Sequence, residues 1–430
     1  MAKTNYYEFK PLNVGRWLVW SLFALVLALV PLLFGSSLAL TILSQMGIAI
    51  IACLSYNMLL GQGGMLSFGH AVYTGLGAYG AIHVLNSISA SLPIPVVMVP
   101  LFGGLVGMGF AVLFGYVTTR KSGTTFAMIT LGMGELVFSM SLMIPEFFGG
   151  EGGVSGNRVV GQPILGISFG PPIQVYYLIA VYTFVAVAAM FAFTRTPLGR
   201  MLNAVRDNPE RVEFVGYNTQ RIRYTAFIIA GFFAGISGGL GALNFEIVTA
   251  EVVGTARSGA YLLFTFLGGA TFFFGPILGA ILMVLAFVLF SEFSKAWLLY
   301  LGLVFLFMVM YAPGGIASLL MMNLRVASFG KLRTLWVSYL GLAVTGLMVL
   351  LGFAAMIEMV YHLQMNSALG SELPFMGAVL DARGLNSWFG AVFTSLTGLG
   401  LFELTRRVFV QEWGRTQEEI EKEIKRRELL

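Results

Sequence analysis

Tyr56-Asn57-Met58-Leu59-Leu60-Gly61-Gln62-Gly63-Gly64-Met65-Leu66-Ser67-Phe68-Gly69-His70 separates two apolar runs, residues 38–60 and 67–87. Each run can cross a bilayer as a helix, because about 20 apolar residues cover a hydrocarbon core of roughly 30 Å. What parts them holds no Lys, Arg, Asp or Glu. It reads either as a very short loop or as a break inside the helices themselves. A break at membrane depth leaves backbone groups that only protein or a lined cavity can satisfy. Asn57, Gln62, Ser67 and His70 stand in this stretch, and Thr74 follows it.

The rest of the chain has the same character. Hydrophobic residues make up 57% of its 430 residues and charged ones 10%. A soluble domain carries about 25% charge, so a soluble enzyme, a disordered chain and a nucleic-acid binder are excluded as first readings. Glycine, at 53 residues, suits membrane helices that pack backbone to backbone. The fold class is therefore all-α, a polytopic helical membrane protein with about 12 transmembrane helices. They fall near 17–35, 38–60, 67–87, 94–118, 124–145, 175–194, 224–245, 258–274, 276–293, 296–312, 336–362 and 386–404. A second weak separation lies at Gly275–Pro276. Cys53 is the one cysteine, so no intrachain disulfide is possible, and the three histidines are too scattered for a metal site. Nothing in the sequence asks for a cofactor.

Alternating twelve spans from a cytoplasmic N-terminus leaves Arg158, Arg257, Lys295 and Arg383 outside and puts the other 21 of the 25 Lys and Arg residues inside. The positive-inside rule supports that orientation. It predicts both termini in the cytoplasm and the segment 146–174 outside. No cleavable signal peptide is evident, because the first apolar run is too long for one.

The inner segment Thr194 to Arg223 carries six arginines. Within it, Asn208-Pro209-Glu210-Arg211-Val212-Glu213-Phe214-Val215-Gly216 reads as a short helix. Asn208 supplies an N-cap oxygen, Pro209 suits the first helical position and Gly216 the left-handed stop. A second short helix, Pro197 to Val205, precedes it. A compact, self-capped pair of helices between two spans is built to dock on a partner. The alternative is an amphipathic loop on anionic lipid, which its arginines would favour.

Thr196-Pro197-Leu198-Gly199-Arg200-Met201-Leu202-Asn203-Ala204-Val205-Arg206-Asp207-Asn208-Pro209-Glu210 and Glu213-Phe214-Val215-Gly216-Tyr217-Asn218 resemble the cytoplasmic loop of branched-chain amino-acid ABC transporter permeases, most of all the M-type permease subunit of the hydrophobic amino-acid importers. Four more stretches are similar to the same family, in the same order. They are Tyr56 to His70, Phe126 to Glu135, Leu267 to Ala280 and Tyr311-Ala312-Pro313-Gly314-Gly315-Ile316. The resemblance covers about 38–320 and departs from the family pattern beyond Leu320.

The resemblance implies a domain plan. A cytoplasmic N-terminus and peripheral span (1–37) lead into a permease core (38–320) with a coupling loop (195–223); an echo of Gly63-Gly64 before Phe68-Gly69 in Gly268-Gly269 before Phe274-Gly275 reads as a sign of inverted repeats. Two additional spans (321–405) and a charged cytoplasmic tail helix (406–430) follow. It also implies partners: a second permease subunit, two cytoplasmic ATPase subunits and an extracytoplasmic substrate-binding protein, in the bacterial inner membrane. ATP hydrolysis would lie in the partners, and this chain would have no catalytic residues. Residues 208–216 would be the coupling helix, with Val212, Phe214 and Val215 filling a partner's cleft and Arg211 and Glu213 at its polar rim.

Polar residues within spans are costly and often functional. The translocation-pathway candidates are Asn57, Gln62, Ser67, His70, Thr74 and Glu135. Glu135 has no Lys or Arg within reach on its own helix, and reads equally as a pathway residue or as a hydrogen-bonded packing residue. His70 would bond carbonyls freed by the break. Gln45 and Asn244 read as interhelical hydrogen bonds. In the tail, Glu418–Lys422, Glu421–Lys425 and Glu423–Arg427 fall at helical ion-pair spacing. The expected substrates are branched-chain or other hydrophobic amino acids; urea, amides or aromatic carboxylates fit the sparse charge as well. An ion-coupled secondary transporter is the competing class, with Glu135 as its candidate site. An intramembrane enzyme lacks a constellation of reactive residues.

Overall fold

The computed structural model describes residues 14–90, 93–160, 168–365 and 370–428. The charges expected on the first ten residues, and the middle of the outer segment at 161–167, lie outside them.

Each of the twelve apolar runs carries a helix. In order the helices are α1 (Val14–Leu33), α2 (Ser37–Asn57), α3 (Ala71–Ala90), α4 (Val99–Thr118), α5 (Gly123–Met143), α6 (Pro145–Phe148), α7 (Pro172–Arg195), α8 (Pro197–Asp207), α9 (Pro209–Phe214), α10 (Thr219–Phe245), α11 (Thr255–Gly268), α12 (Gly275–Leu285), α13 (Ser291–Phe293), α14 (Trp297–Tyr311), α15 (Gly315–Ser328), α16 (Trp336–Met365) and α17 (Leu385–Glu428). Among the described residues, six spans are long and apolar enough to cross a membrane: Ser37–Gln62, Val96–Thr118, Gly123–Met143, Pro172–Arg195, Thr219–Phe245 and Trp336–Met365. A seventh follows if α14 and α15, bent by 52°, form one. Among the described residues are two small antiparallel pairings: β1 (Val154–Ser155) with β2 (Ile247–Val248), and β3 (Glu372–Phe375) with β4 (Ala378–Asp381).

The chain divides into two compact units. The first runs to Leu285 and includes Pro313–Ile316; the second holds Ala286–Ala312 and Ala317 onward. The first unit is organised around α10, whose glycines meet α3 and α4 at backbone distance. A Cβ on Gly235 would lie 2.3 Å from the Gly103 carbonyl oxygen, one on Gly107 2.6 Å from that of Gly231, and one on Gly238 1.8 Å from that of Thr74. Gly231, Gly235 and Gly239 recur every fourth residue on α10, as do Gly103, Gly107, Ala111 and Gly115 on α4. Lipid tails are as apolar as leucine, so close backbone packing of this kind substitutes for a hydrophobic driving force.

Both glycine-rich separations are breaks. α2 runs into a π-turn, Met58–Gln62, and helix resumes only at Ala71. The second break covers 269–274, upstream of the expected Gly275–Pro276. Proline is tolerated in the first turn of a helix, where no N–H bond is lost, and Pro276 stands in the first turn of α12, close to the expected start of that span.

In the second unit, α17 is a single helix of 44 residues, continuous from the last apolar run into the charged tail. Val326, Leu335 and Ile420 form a buried cluster joined by Phe329, Tyr339, Trp413 and Ile424, which holds the tail against the α15–α16 junction. Glu421–Lys425 pair at 2.9 Å and Lys331–Glu419 at 2.6 Å. The hydrogen bond from Lys331 holds the Glu419 carboxyl below the usual carboxylate range. Glu358 on α16 accepts from Tyr300 Oη at 3.1 Å and from Ser294 Oγ.

Candidate functional site

Three successive caps shape the segment between α7 and α10. Thr196 Oγ1 accepts from the Gly199 N–H at 3.2 Å, opening α8. Asn208 Oδ1 accepts from the Arg211 N–H at 3.0 Å, opening α9 with Pro209 at its first position. Asn218 Oδ1 accepts from the Arg221 N–H at 2.9 Å, opening α10. α9 stops where Gly216 takes φ +93, a left-handed conformation that glycine adopts without a Cβ penalty. The Gly216 and Tyr217 N–H groups close that end on the carbonyls of Glu213 and Val212, at 2.8 and 3.2 Å.

This element presents a smaller apolar surface than its sequence suggests. Phe214 is 89% exposed and Val215 74%. Val212, expected beside them, is buried, together with Leu202 and Val205. In a helix of six residues, position 212 faces the protein and 214 faces away, so Val212 anchors the knob and is not part of its outer surface. Glu213 is also tied inward, accepting from Thr219 Oγ1 at 2.7 Å. An open cavity of about 390 Å³ lies between α8 and α9, lined by Met201, Arg211, Val212, Val215 and Tyr217 among others.

The break after α2 lies against this element. Ser55 Oγ and His70 Nε2 are 2.9 Å apart. His70 thus pairs with a hydroxyl on the preceding helix and not with a freed carbonyl, and the rings of Tyr56, Tyr73 and Tyr261 enclose it edge-on. The backbone of the break is held from neighbouring helices. Phe68 N–H donates to Thr130 Oγ1 on α5 at 3.1 Å, and Ala71 N–H donates to Ser258 Oγ on α11 at 2.9 Å. Asn57 Oδ1, Gln62 Oε1, Ser67 Oγ and His70 Nδ1 are buried without a hydrogen-bond partner. Asn57 and Gln62 line a cavity of about 380 Å³ shared with Arg195, Asn203, Arg206, Ala270 and Thr271.

Thr74 and Glu135 stand apart from these four. Thr74 Oγ1 donates to the Ala71 carbonyl at 2.9 Å, an ordinary back-bond within α3. It lines a small cavity of about 60 Å³ with Ser237, Arg257 and Tyr261. Glu135 is exposed on α5 and accepts from Thr255 Oγ1 at 2.9 Å. Its helix face also exposes Met128, Leu136 and Met143. Of the expected interhelical pairs, the Asn244 side-chain nitrogen is buried without a partner, while the Asn244 carbonyl accepts from Arg158.

Sequence reasoning missed the residues that hold the break together. Ser55, Thr130 and Ser258 are common hydroxyl residues in apolar helices, and Ser258 lies 187 positions from its partner. It also left Arg206 among the general positive charge. In the structure the Arg206 guanidinium donates to the Gly61 carbonyl and, at 2.9 Å, to Asp207 Oδ1.

Residues 38–313 match the family described as branched-chain amino acid transport system / permease component. The chain is 30% identical over 294 residues to the high-affinity branched-chain amino acid transport system permease protein LivM of Escherichia coli (strain K12). It is 29% identical to the protein of the same description from Salmonella typhimurium (strain LT2). Each alignment covers 62% of this chain and 67% of the relative. No solved structure matches. The match ends where α14 gives way to α15, so the rest of the second unit lies beyond it.

Proposed function

Because the chain belongs to the branched-chain amino acid transport system permease family, we propose that it is a membrane-spanning permease subunit of an ATP-driven importer for leucine, isoleucine and valine. It works beside a second permease subunit, receives substrate from an extracytoplasmic binding protein and is driven by two cytoplasmic ATPase subunits. It sits in the bacterial inner membrane with both termini in the cytoplasm, an orientation supported by the distribution of Lys and Arg.

The observation that carries this reading is α9. A six-residue helix with its own cap, its own stop and a nearly fully exposed phenylalanine is a rigid knob awaiting a cleft. A partner that moves on binding ATP can push such a knob, whereas an unstructured loop would absorb the displacement. The branched-chain substrate class comes from the family description and the two relatives; the geometry adds the docking element. Glu135, the candidate ion site of a secondary transporter, lies on an exposed helix face with one threonine partner, which gives that class no support.

The test is reconstitution with ATPase subunits and binding protein in vesicles. Leucine uptake should require ATP and survive ionophores. Gly216→Val should uncouple hydrolysis from uptake, because a β-branched residue resists the left-handed conformation. Uptake that continues without ATPase subunits and collapses with an ionophore would overturn the assignment.

A further inference from the structure

At Gly61 three separate segments of the first unit converge. The carbonyl of Gly61, in the π-turn of α2, accepts from Arg206 Nη1 of α8. A Cβ on Gly61 would lie 2.2 Å from the carbonyl oxygen of Ala270, so the second helix break touches the first at this residue. The Arg206 stem continues the contact. A Cβ on Gly64, where φ is +62, would lie 2.8 Å from Arg206 Cγ, and one on Gly63 would lie 3.2 Å from Leu202 Cδ1. Asp207 holds the guanidinium in place through Nε and Nη2, each at 2.9 Å.

We propose that Arg206 is the transmission residue of this permease, passing displacement of the docking helix α9 to the two joined helix breaks through the Gly61 carbonyl. This rests on the reading of α9 as the ATPase docking element. Arg206 lies two residues before the Asn208 cap of α9, so a push on α9 reaches it with little chain between to bend. A π-turn contains one residue more than an α-turn needs, and such turns recur at functional sites. It can take up a shift that a regular helix would resist. Arg206 is a positioning residue: it grips the backbone of the break and need not touch the transported solute.

The test uses the assembled importer in vesicles and reads ATP hydrolysed per leucine transported, beside co-purification of the ATPase subunits. Phe214→Ala serves as the control, because it should lose association. Arg206→Ala should keep association and raise the ATP-to-leucine ratio about tenfold, the scale set by loss of a charge-assisted hydrogen bond. Arg206→Lys keeps the charge and one donor but loses the fork, and should raise the ratio about threefold. If the alanine variant does not insert, the lysine variant carries the test. A wild-type ratio in a variant that assembles would overturn the proposal. Loss of ATPase association in both variants would also overturn it, by making Arg206 part of the docking surface. Retained association in Phe214→Ala would instead strike the docking reading, and would be distinguishable from either.

Discussion

Two arginines stand near opposite ends of α10, and they are held in opposite ways. Near Phe245, Arg158 is enclosed. Its guanidinium donates to the carbonyls of Phe169, Asn244 and Gly170 at 2.9, 3.2 and 3.3 Å and pairs with Glu246 at 3.5 Å, while its own N–H donates to Glu246 Oε1 at 2.9 Å. The pairing of β1 with β2 closes the same corner. On the Thr219 side, Arg206 has one hydrogen-bond partner among the described residues beyond its neighbour Asp207, the Gly61 carbonyl, and its side chain is 37% exposed. A helix of 27 residues is about 40 Å long, so the two sites lie on opposite sides of a membrane-spanning element. A guanidinium with every arm occupied fixes a geometry, and one with a single distant hydrogen bond is free to shift, as the proposed transmission requires.

Replacing each arginine by methionine should expose the contrast. Arg158→Met leaves Glu246 and three carbonyls without their donor, and should cost about 3 kcal/mol of stability, read as a fall in the thermal unfolding midpoint in detergent. Next in size is Phe214→Ala, at the moving end. It should weaken ATPase association by about 2 kcal/mol with no change in unfolding, since the ring is almost wholly exposed. Arg206→Met should cost under about 1 kcal/mol of stability, as for other solvent-screened pairs, so that its effect shows in coupling alone. Equal losses of stability at Arg158 and Arg206 would erase the distinction. The smallest effect belongs to Glu135→Gln. The amide still accepts from Thr255 Oγ1, and leucine uptake should stay within about twofold of wild type, the scale of most surface changes. A large loss with normal assembly would place a needed charge on α5 and weaken the picture of movement delivered from α8 and α9.

What the sequence made legible followed from how local the signals are. Spans are legible because twenty apolar residues in a row have few alternatives to a membrane helix. The caps of α9 are legible because Asn208, Pro209 and Gly216 act on groups a few residues away. The first break was legible in its glycines, but its supports were not, since the partners come from α5, α8 and α11. Arg206 and Gly61 are 145 positions apart, and nothing in either local sequence names the other. From sequence the second break reads a few residues late, at Gly275–Pro276, because its glycines lie in 268–275 and only the packing shows that helix already ends at Gly268. Val212 misled because six residues are too few for a periodicity to show which face is buried. α15 was not anticipated at all: only Gly315, at φ +69, marks its beginning.

If α9 is the docking element, it seats in an ATPase subunit and moves with it. Val215→Cys probes this with the Phe214 anchor kept: Val215 is exposed beside that ring, cysteine is close to valine in size, and Cys53 is buried, so the new thiol would be the accessible one. In the assembled importer, a short thiol cross-linker should join position 215 to an ATPase subunit, with a yield that changes when ATP is bound. Ready labelling of that cysteine by a membrane-embedded reagent, with no cross-link to the ATPase in either state, would contradict the account and return α9 to the lipid surface.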